Sequence, residues 1–266
     1  MRFIILGVFL LFAAYAAAEN YLILTVRREK PGSGIRIAHL SDLHKRRFGR
    51  DNIRLINRVR AEKPDLIIFS GDLVSRDEES LCAAEATLRE LCSIAPVYVI
   101  YGNHEQSISA EMKPRLEKMF AGTDAVVLRN QHAETEVKGR KLKIYGLLES
   151  YGVYKKNGGY RGLDSVTCAD LEKLLGSCPD GEVLLIAHNP FFAEAYAEWG
   201  AKYTFSGHVH GGIVRLFGVA MFSPERKMFP AYSKGVYTKG NMKLLVSAGL
   251  GKLRLFDPAE IVIYEI

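Results

Sequence analysis

Short apolar runs rich in β-branched residues recur along the chain, and each stops at a polar or glycine-bearing cluster. Residues 35–40 (IRIAHL) run into Ser41-Asp42-Leu43-His44, 66–69 (LIIF) into Ser70-Gly71-Asp72, and 97–101 (VYVIY) into Gly102-Asn103-His104-Glu105. Residues 183–187 (VLLIA) run into His188-Asn189-Pro190, and 203–205 into Ser206-Gly207-His208-Val209-His210. Runs of this length and bounding predict buried strands. Helical spacing fills the gaps: Ile53, Ile56 and Val59 within 52–62, and Leu81, Ala84, Leu88 and Leu91 within 78–92. Further helices are predicted at 110–120, 168–175 and 192–199. Alternating strand and helix predicts an α/β fold, whose ligands gather at the carboxyl ends of the strands. From about residue 141 the pattern shifts to strands with few helices between, at 141–147, 236–237, 243–247 and 261–266. A sheet-on-sheet core flanked by helices accommodates both halves. No linker divides residues 31–266, which read as one domain.

The first residues differ from the rest. After Met1 and Arg2 comes FIILGVFLLFAAYAAA, residues 3–18, ending in Ala16-Ala17-Ala18 before Glu19. Residues 1–26 thus read as a membrane anchor or a signal segment. A secretory signal with an A-x-A cleavage site has this layout. A membrane span needs a slightly longer run, which residues 21–26 supply if Glu19 and Asn20 are tolerated. A buried helix is the third reading. The anchor reading places the domain of residues 31–266 at the membrane on its extracytoplasmic side, and the signal reading makes it secreted. Arg2 at one end and Arg27, Arg28 and Lys30 at the other leave the side open by the positive-inside rule.

Composition narrows the classes only a little. The 266 residues are 48% hydrophobic and 25% charged, which excludes disorder, collagen and coiled coil as the main state. A net charge of +6 favours an anionic partner without naming one. The four cysteines, Cys82, Cys92, Cys168 and Cys178, form no C-x-x-C pair and read as free thiols, although export would permit disulfides.

The chemistry lies in the clusters. Five of the seven histidines (His44, His104, His188, His208 and His210) fall in them, with Asp42, Asp72 and Asn103. A lone aspartate after a strand is ordinarily a helix cap or turn former. The joint pattern is an inventory for two divalent cations, which accept imidazole and carboxylate together. Asp42 and His44 are two apart, so an extended backbone turns both to one side, and His208 and His210 repeat the spacing. Asp72 can bridge two cations, and Asn103 offers a neutral carbonyl oxygen. Two cations so held clamp a phosphoryl oxygen and yield a bridging hydroxide nucleophile at neutral pH.

These five motifs, in this order, resemble the calcineurin-like metallophosphoesterase superfamily from about residue 35 to the end. The resemblance implies a four-layer α/β/β/α sandwich with a dinuclear centre of Mn, Fe or Zn. One cation would take Asp42, His44, Asp72 and His210; the other would take Asp72, Asn103, His188 and His208. His104 would stand outside the ligand sphere and stabilise or protonate the leaving group. The apolar N-terminus and the GHVHGG block are similar to the membrane-associated bacterial phosphodiesterase branch, and so are residues 222–230, Gly249-Leu250-Gly251 and Phe256. Some relatives there cleave the pyrophosphate of UDP-diacylglucosamine. The implied activity is hydrolysis of phosphodiesters, or of a lipid-linked nucleotide pyrophosphate. A membrane-bound metal-binding module without catalysis is the reading from another class. Two positions depart from the branch: Phe191 stands where relatives often carry an acidic residue, and Glu149-Ser150 where they often carry Asp-Asp, and both are expected to alter the substrate rim.

Residues 151–162 (YGVYKKNGGYRG) make a basic, aromatic, glycine-rich loop. Lys155, Lys156 and Arg161 are its candidate contacts to an anionic substrate, against the alternative of a mobile surface loop. The loop lacks the Gly-Lys-Ser/Thr ending of a P-loop. Lys45-Arg46-Arg47 either raises the potential near the site or is solvated. Gly211 and Gly212 are expected to let backbone turn close to the cations. No nucleic-acid motif or basic stripe is present, so nucleic acid is not an expected partner.

Overall fold

The computed structural model of the protein describes residues 1–223 and 227–266. Part of the late 222–230 segment, Pro224 included, therefore lies outside the described residues. Helix α1 (Arg2–Tyr21) leads into β1 (Leu24–Glu29). Then come β2 (Arg36–Leu40), α2 (Ile53–Ala61), β3 (Leu66–Phe69), α3 (Cys82–Cys92) and β4 (Val97–Val99). The short α4 (Asn103–Gln106), α5 (Lys113–Ala121) and β5 (Val126–Val127) follow. The second half runs β6 (Gln131–Val137), β7 (Arg140–Gly146), α6 (Cys168–Leu175), β8 (Glu182–Ile186), α7 (Ala193–Trp199) and β9 (Tyr203–Ser206). A ribbon of β10 (Arg215–Leu216) and β11 (Val219–Ala220) precedes β12 (Gly235–Lys239), β13 (Met242–Val246) and β14 (Ala259–Glu265).

The strands form two six-stranded mixed sheets, ordered β1-β14-β2-β3-β4-β5 and β12-β13-β9-β8-β7-β6. Strands β2 to β5 are mutually parallel, as are β7, β8, β9 and β13. Strand β14 returns antiparallel to β2, with Val262 opposite His39, and runs parallel to β1.

Side-chain alternation explains why both faces of these strands are apolar. In β3, Ile67 and Phe69 join a cluster with Leu55, Ile56 and Val59 of α2, Leu88 of α3 and Leu116 of α5. Leu66 and Ile68 join a second cluster with Leu184 and Ile186 of β8 and Phe205 of β9, so the two sheets share it. Val183 and Leu185 of β8 join a third with Leu171 of α6 and Tyr196 and Trp199 of α7.

Several boundaries differ from the sequence expectation. The apolar segment does not continue as helix through residue 26: the chain turns at Leu22, and β1 pairs with β14. Helix α3 begins at Cys82 rather than at 78, because Glu78 is spent on a turn in which its carboxylate accepts the Ser75 N–H at 3.2 Å. Strands β5 and β6 were not expected; β6 alternates polar residues on a sheet edge and has no apolar run to announce it.

Helix α1 is long and apolar enough to cross a membrane and is almost wholly exposed. Its last turn is built into the rest of the fold. The Asn20 side chain donates to the Arg254 carbonyl at 2.8 Å and accepts the Arg254 N–H at 3.0 Å. The buried carboxylate of Glu19 accepts the Phe256 N–H at 2.9 Å, and Tyr15 stacks on the Phe256 ring.

Candidate metal centre

Each cluster occupies the loop at the carboxyl end of a parallel strand, and tight turns re-aim its side chains. Asp42, His44, Asp72, His208 and His210 all have positive φ, between 51° and 69°. Such backbone is costly for residues other than glycine and collects at functional sites. Glycines make the close approaches possible. A Cβ on Gly102 would lie 2.3 Å from Asp72 Oδ1, and one on Gly207 would lie 1.8 Å from Ser41 Oγ. Gly211 and Gly212 have φ of 69° and 91°, and a Cβ on Gly211 would strike Asp257.

The fold gathers most of the predicted residues into one centre. Ligand atoms of Asp42, His44 and His210 lie within 4.8 Å of one another, as do those of His44, Asp72 and His104, and of Asp42, Asp72 and His188. Asp72 Oδ2 is 3.4 Å from His188 Nε2 and 3.8 Å from His44 Nε2. Asp42 Oδ1 is 3.4 Å from His210 Nε2. His208 packs edge-on against His188 and Tyr154, and its N–H donates to Asp42. Asn103, at the start of α4, is buried beside them.

Hydrogen bonds to the ring nitrogens separate two kinds of histidine. The Nδ1–H of His188 donates to the Ser70 carbonyl at 2.7 Å, which leaves Nε2 buried, without a hydrogen-bond partner and 3.4 Å from Asp72 Oδ2. A second-shell carbonyl on one nitrogen is the usual device for presenting the other to a metal. His104 is the reverse: its Nδ1 accepts the Arg76 N–H at 3.1 Å, so the neutral ring carries its proton on Nε2 and is a donor there. The Asn103 side-chain oxygen is also buried and unpartnered. Buried polar atoms rarely lack a partner. These two unpartnered buried atoms, with two carboxylates beside them, fit divalent cations once His188 gives up its Nε2 proton.

Charge reinforces the arrangement. Burial works against ionised Asp72, but His188, His104 and His44 outweigh it and hold the carboxyl well below its usual range. Burial likewise opposes ionised Asp42, and His210 and His188 overcome it. Burial disfavours a charged His188, yet Asp72 and Asp42 push it up to about 10. His44 is lowered to about 3, by burial first and then by His210 and His104.

A cavity of about 180 Å³ opens over Asp72, Asn103, His104, His208 and His210. Of the three expected basic contacts, Lys155 lines it. Lys156 is ion-paired to Asp164 at 2.6 Å, and Arg161 is exposed away from the lining. Arg76, Tyr151, Tyr154 and Tyr160 complete the wall. The tyrosines lie in the same glycine-rich loop, so its aromatic content was the signal for them. The loop is a wall of the cavity.

The burial of two carboxylates, Glu105 and Glu149, was not foreseen from the sequence. Glu105 accepts the N–H groups of Asp72, Val74 and Gly102 at 2.8–3.0 Å. Burial, then the Asp72 charge, pushes it up to about 8. Glu149 accepts the Asn189 N–H and the Tyr154 hydroxyl, each at 3.0 Å. It lies under the His188 loop and not on the substrate rim, as its departure from the branch pattern had suggested. Arg46 also departs from expectation. It is buried rather than solvated, lines a cavity that opens on His44, His104 and His210, and donates to the carbonyls of Glu19, Ile23, Leu250 and Gly251. All four cysteines are free thiols.

Two mixed sheets with a cluster of histidine, aspartate and asparagine at their strand ends are the arrangement of a metal-dependent phosphoesterase fold with candidate metal ligands. The chain belongs to the calcineurin-like phosphoesterase family, whose profile matches residues 35–212. It is 27% identical to an uncharacterized metallophosphoesterase of Campylobacter jejuni, over 100% of this chain and 69% of that one. It is 26% identical to phosphodiesterase YaeI of Escherichia coli, over 87% of this chain and 82% of that one. The structure of sulfate thiohydrolase SoxB of Thermus thermophilus superposes with a TM-score of 0.53 at 13% identity, which shows a shared fold. That match covers 84% of this chain and about half, 52%, of the SoxB chain.

Proposed function

We propose that this protein is a phosphodiesterase that works with a pair of divalent cations, anchored to a membrane by α1 with its catalytic domain on the extracytoplasmic side. The carrying observation is the pair of buried side-chain atoms without hydrogen-bond partners, His188 Nε2 and Asn103 Oδ1, beside the ionised Asp72. One cation would be held by Asp42, His44, Asp72 and His210, and the other by Asp72, Asn103, His188 and His208. Mn, Fe and Zn all suit this donor set. Bound there, the cations supply Lewis acidity toward a phosphoryl oxygen and lower the pKa of water. The protein's own part is to orient and to donate. His104 offers its Nε2–H to the leaving oxygen, and Arg76 fixes that tautomer through Nδ1. Glu105 holds the Asp72 and Gly102 backbones in place. Lys155 and Tyr151 receive the ester group from the opposite wall. Diesters are favoured over small monoesters because no cap encloses the cavity among the described residues. The three apolar clusters support a four-layer α/β/β/α reading of the fold.

The test is hydrolysis of a generic aryl phosphodiester and the matching monoester by protein stripped of metal and then given Mn²⁺. Turnover of the diester only after metal is restored is the expected result. No turnover of either ester by folded, metal-loaded protein would overturn it.

A further inference from the structure

Beside α1 the charged and apolar side chains are arranged the opposite way from those of a solvated loop. In residues 253–257 the Arg254 guanidinium is buried and donates to the carbonyls of Gly251 and Ala248, and Asp257 is buried against Lys234 at 2.8 Å. Leu253 and Phe256 stand outside, Leu253 79% exposed. The β10–β11 hairpin repeats this. Arg215 donates to the Gly211 carbonyl at 3.1 Å, while Leu216, Phe217 and Val219 are exposed, Phe217 completely. Beyond residue 22, exposed large apolar side chains outside 216–256 are single ones among the described residues: Ile53 on α2, Val126 on β5, Tyr160 in the glycine-rich loop and Leu174 on α6. A gathered apolar patch, unlike single exposed residues, marks an interaction surface.

The two segments are tied to each other and to α1. The Arg215 N–H donates to the Leu255 carbonyl and the Leu255 N–H to that of Ile213, each at 2.9 Å. Arg254 gives its N–H to the Asn20 side chain and Phe256 gives its own to the Glu19 carboxylate. The N–H groups of 254–256 are thus all satisfied inside the protein, as backbone at hydrocarbon depth must be. The same bonds account for Glu19 and Asn20, the two polar residues that interrupt the apolar segment: both serve the loop.

Helix geometry gives the height of this loop. The Phe256 ring packs on Phe12 and Tyr15, with centroids 6.2 and 5.6 Å away. At a rise of about 1.5 Å per residue, these two lie roughly 9–13 Å back along α1 from Tyr21. The 20 residues of α1 span about 30 Å, no more than the hydrocarbon core of a bilayer. A bilayer crossed by α1 therefore covers Phe12 and Tyr15, and Phe256 with them. Lys252 over the Tyr21 ring at 4.6 Å marks the level of the interface, where such residues collect.

We propose that Leu216, Phe217, Val219, Leu253 and Phe256 form a wedge seated in the apolar layer of a lipid bilayer, resting on the anchor reading of α1 given above and not on hydrolysis. The domain then lies against the membrane on one fixed face instead of swinging from its helix.

The experiment uses the full chain in phosphatidylcholine vesicles whose acyl chains carry bromine, a short-range quencher of tryptophan emission. Wild type, with the single buried Trp199, sets the baseline. Phe217→Trp and Leu253→Trp should each add emission that is blue-shifted and is lost in the brominated vesicles. Leu174→Trp should add emission that is neither. Quenching of Leu174→Trp to the same extent would overturn the proposal, because no one face would then be distinguished. Added emission from Phe217→Trp and Leu253→Trp that stays unquenched would also overturn it, and a blue shift without quenching would give the face to a second copy of the chain or another protein. Phe9→Trp on α1 separates the two readings. Quenched Phe9→Trp beside unquenched Phe217→Trp and Leu253→Trp removes the wedge and leaves the anchor. Unquenched Phe9→Trp beside quenched Phe217→Trp and Leu253→Trp removes the anchor reading and leaves the wedge standing.

Discussion

His188 is pinned by Ser70: its Nδ1–H donates to the Ser70 carbonyl at 2.7 Å, and this fixes Nε2 toward Asp72, 3.4 Å away. Without a cation, that nitrogen holds a proton up to about pH 10, because the carboxylates outweigh the cost of burial. A cation must displace the proton. Metal affinity should therefore rise as pH rises toward 10, by roughly tenfold per unit where this one proton is linked. Titration calorimetry in buffers of different ionisation enthalpy would read the released proton. An affinity flat between neutral and alkaline pH would contradict this assignment.

His104 should separate catalysis from metal binding. Burial first, then Arg76, His210 and His188, lower its pKa despite Asp72, and its Nδ1 is occupied by the Arg76 N–H. His104→Ala should lower kcat by about 10²–10⁴-fold, the span of general acid–base catalysis. The deficit should be larger for an alkyl leaving group than for an aryl one, with metal content unchanged. Equal losses on both esters, or lost metal, would make His104 a ligand instead.

Gly102 has no room for a side chain. A Cβ there would meet Asp72 Oδ1 at 2.3 Å and the Asp72 nitrogen at 2.8 Å. Gly102→Ala should displace the Asp72 carboxylate and cost about 10²-fold in activity, as misplacements near 1 Å do. Circular dichroism and activity measured together would check that the loss exceeds any loss of fold.

The parts of this account that were legible in the sequence share a cause. A buried strand must be apolar on both faces and its exit loop polar, so β2, β3, β4, β8 and β9 and their loops announced themselves. What stayed hidden was set by tertiary placement. Strand β1 begins within residues 21–26, which read equally as an extension of the apolar segment, and its pairing with β14 distinguishes it. Arg46 reads as one more surface charge until the four carbonyls around it are seen. Glu105 and Glu149 carry the same formula as any exposed glutamate, and burial alone gives them their positioning roles. Lys156 and Arg161 were grouped with Lys155 by adjacency, but a loop turn sends neighbours to different partners.

Glu260 should govern the acid limb of stability. It is buried and accepts from Arg27, Lys234 and the Ala248 N–H, tying β14 to β1. Burial raises its pKa, but Arg27 and Lys234 more than reverse this and bring it from 4.5 to about 2. A depressed carboxylate contributes stability that is present above the unfolded pKa and lost as pH falls toward the folded one. The loss should run from about pH 4.5 down to about 2 and be on the order of 3 kcal/mol. Denaturant midpoints for wild type and Glu260→Gln should differ at pH 7 and converge near pH 2; a constant difference would place the effect elsewhere.

Asp72 is the proposed bridge between the two cations, and counting bound metal tests the central claim most directly. Elemental analysis of the purified chain, with aryl diester hydrolysis on the same samples, should give two equivalents of divalent metal in wild type. Asp72→Asn should hold one or none and lose measurable turnover. Full hydrolysis by Asp72→Asn, or a metal-free wild type that still cleaves the diester, would contradict a dinuclear phosphodiesterase centre at Asp72.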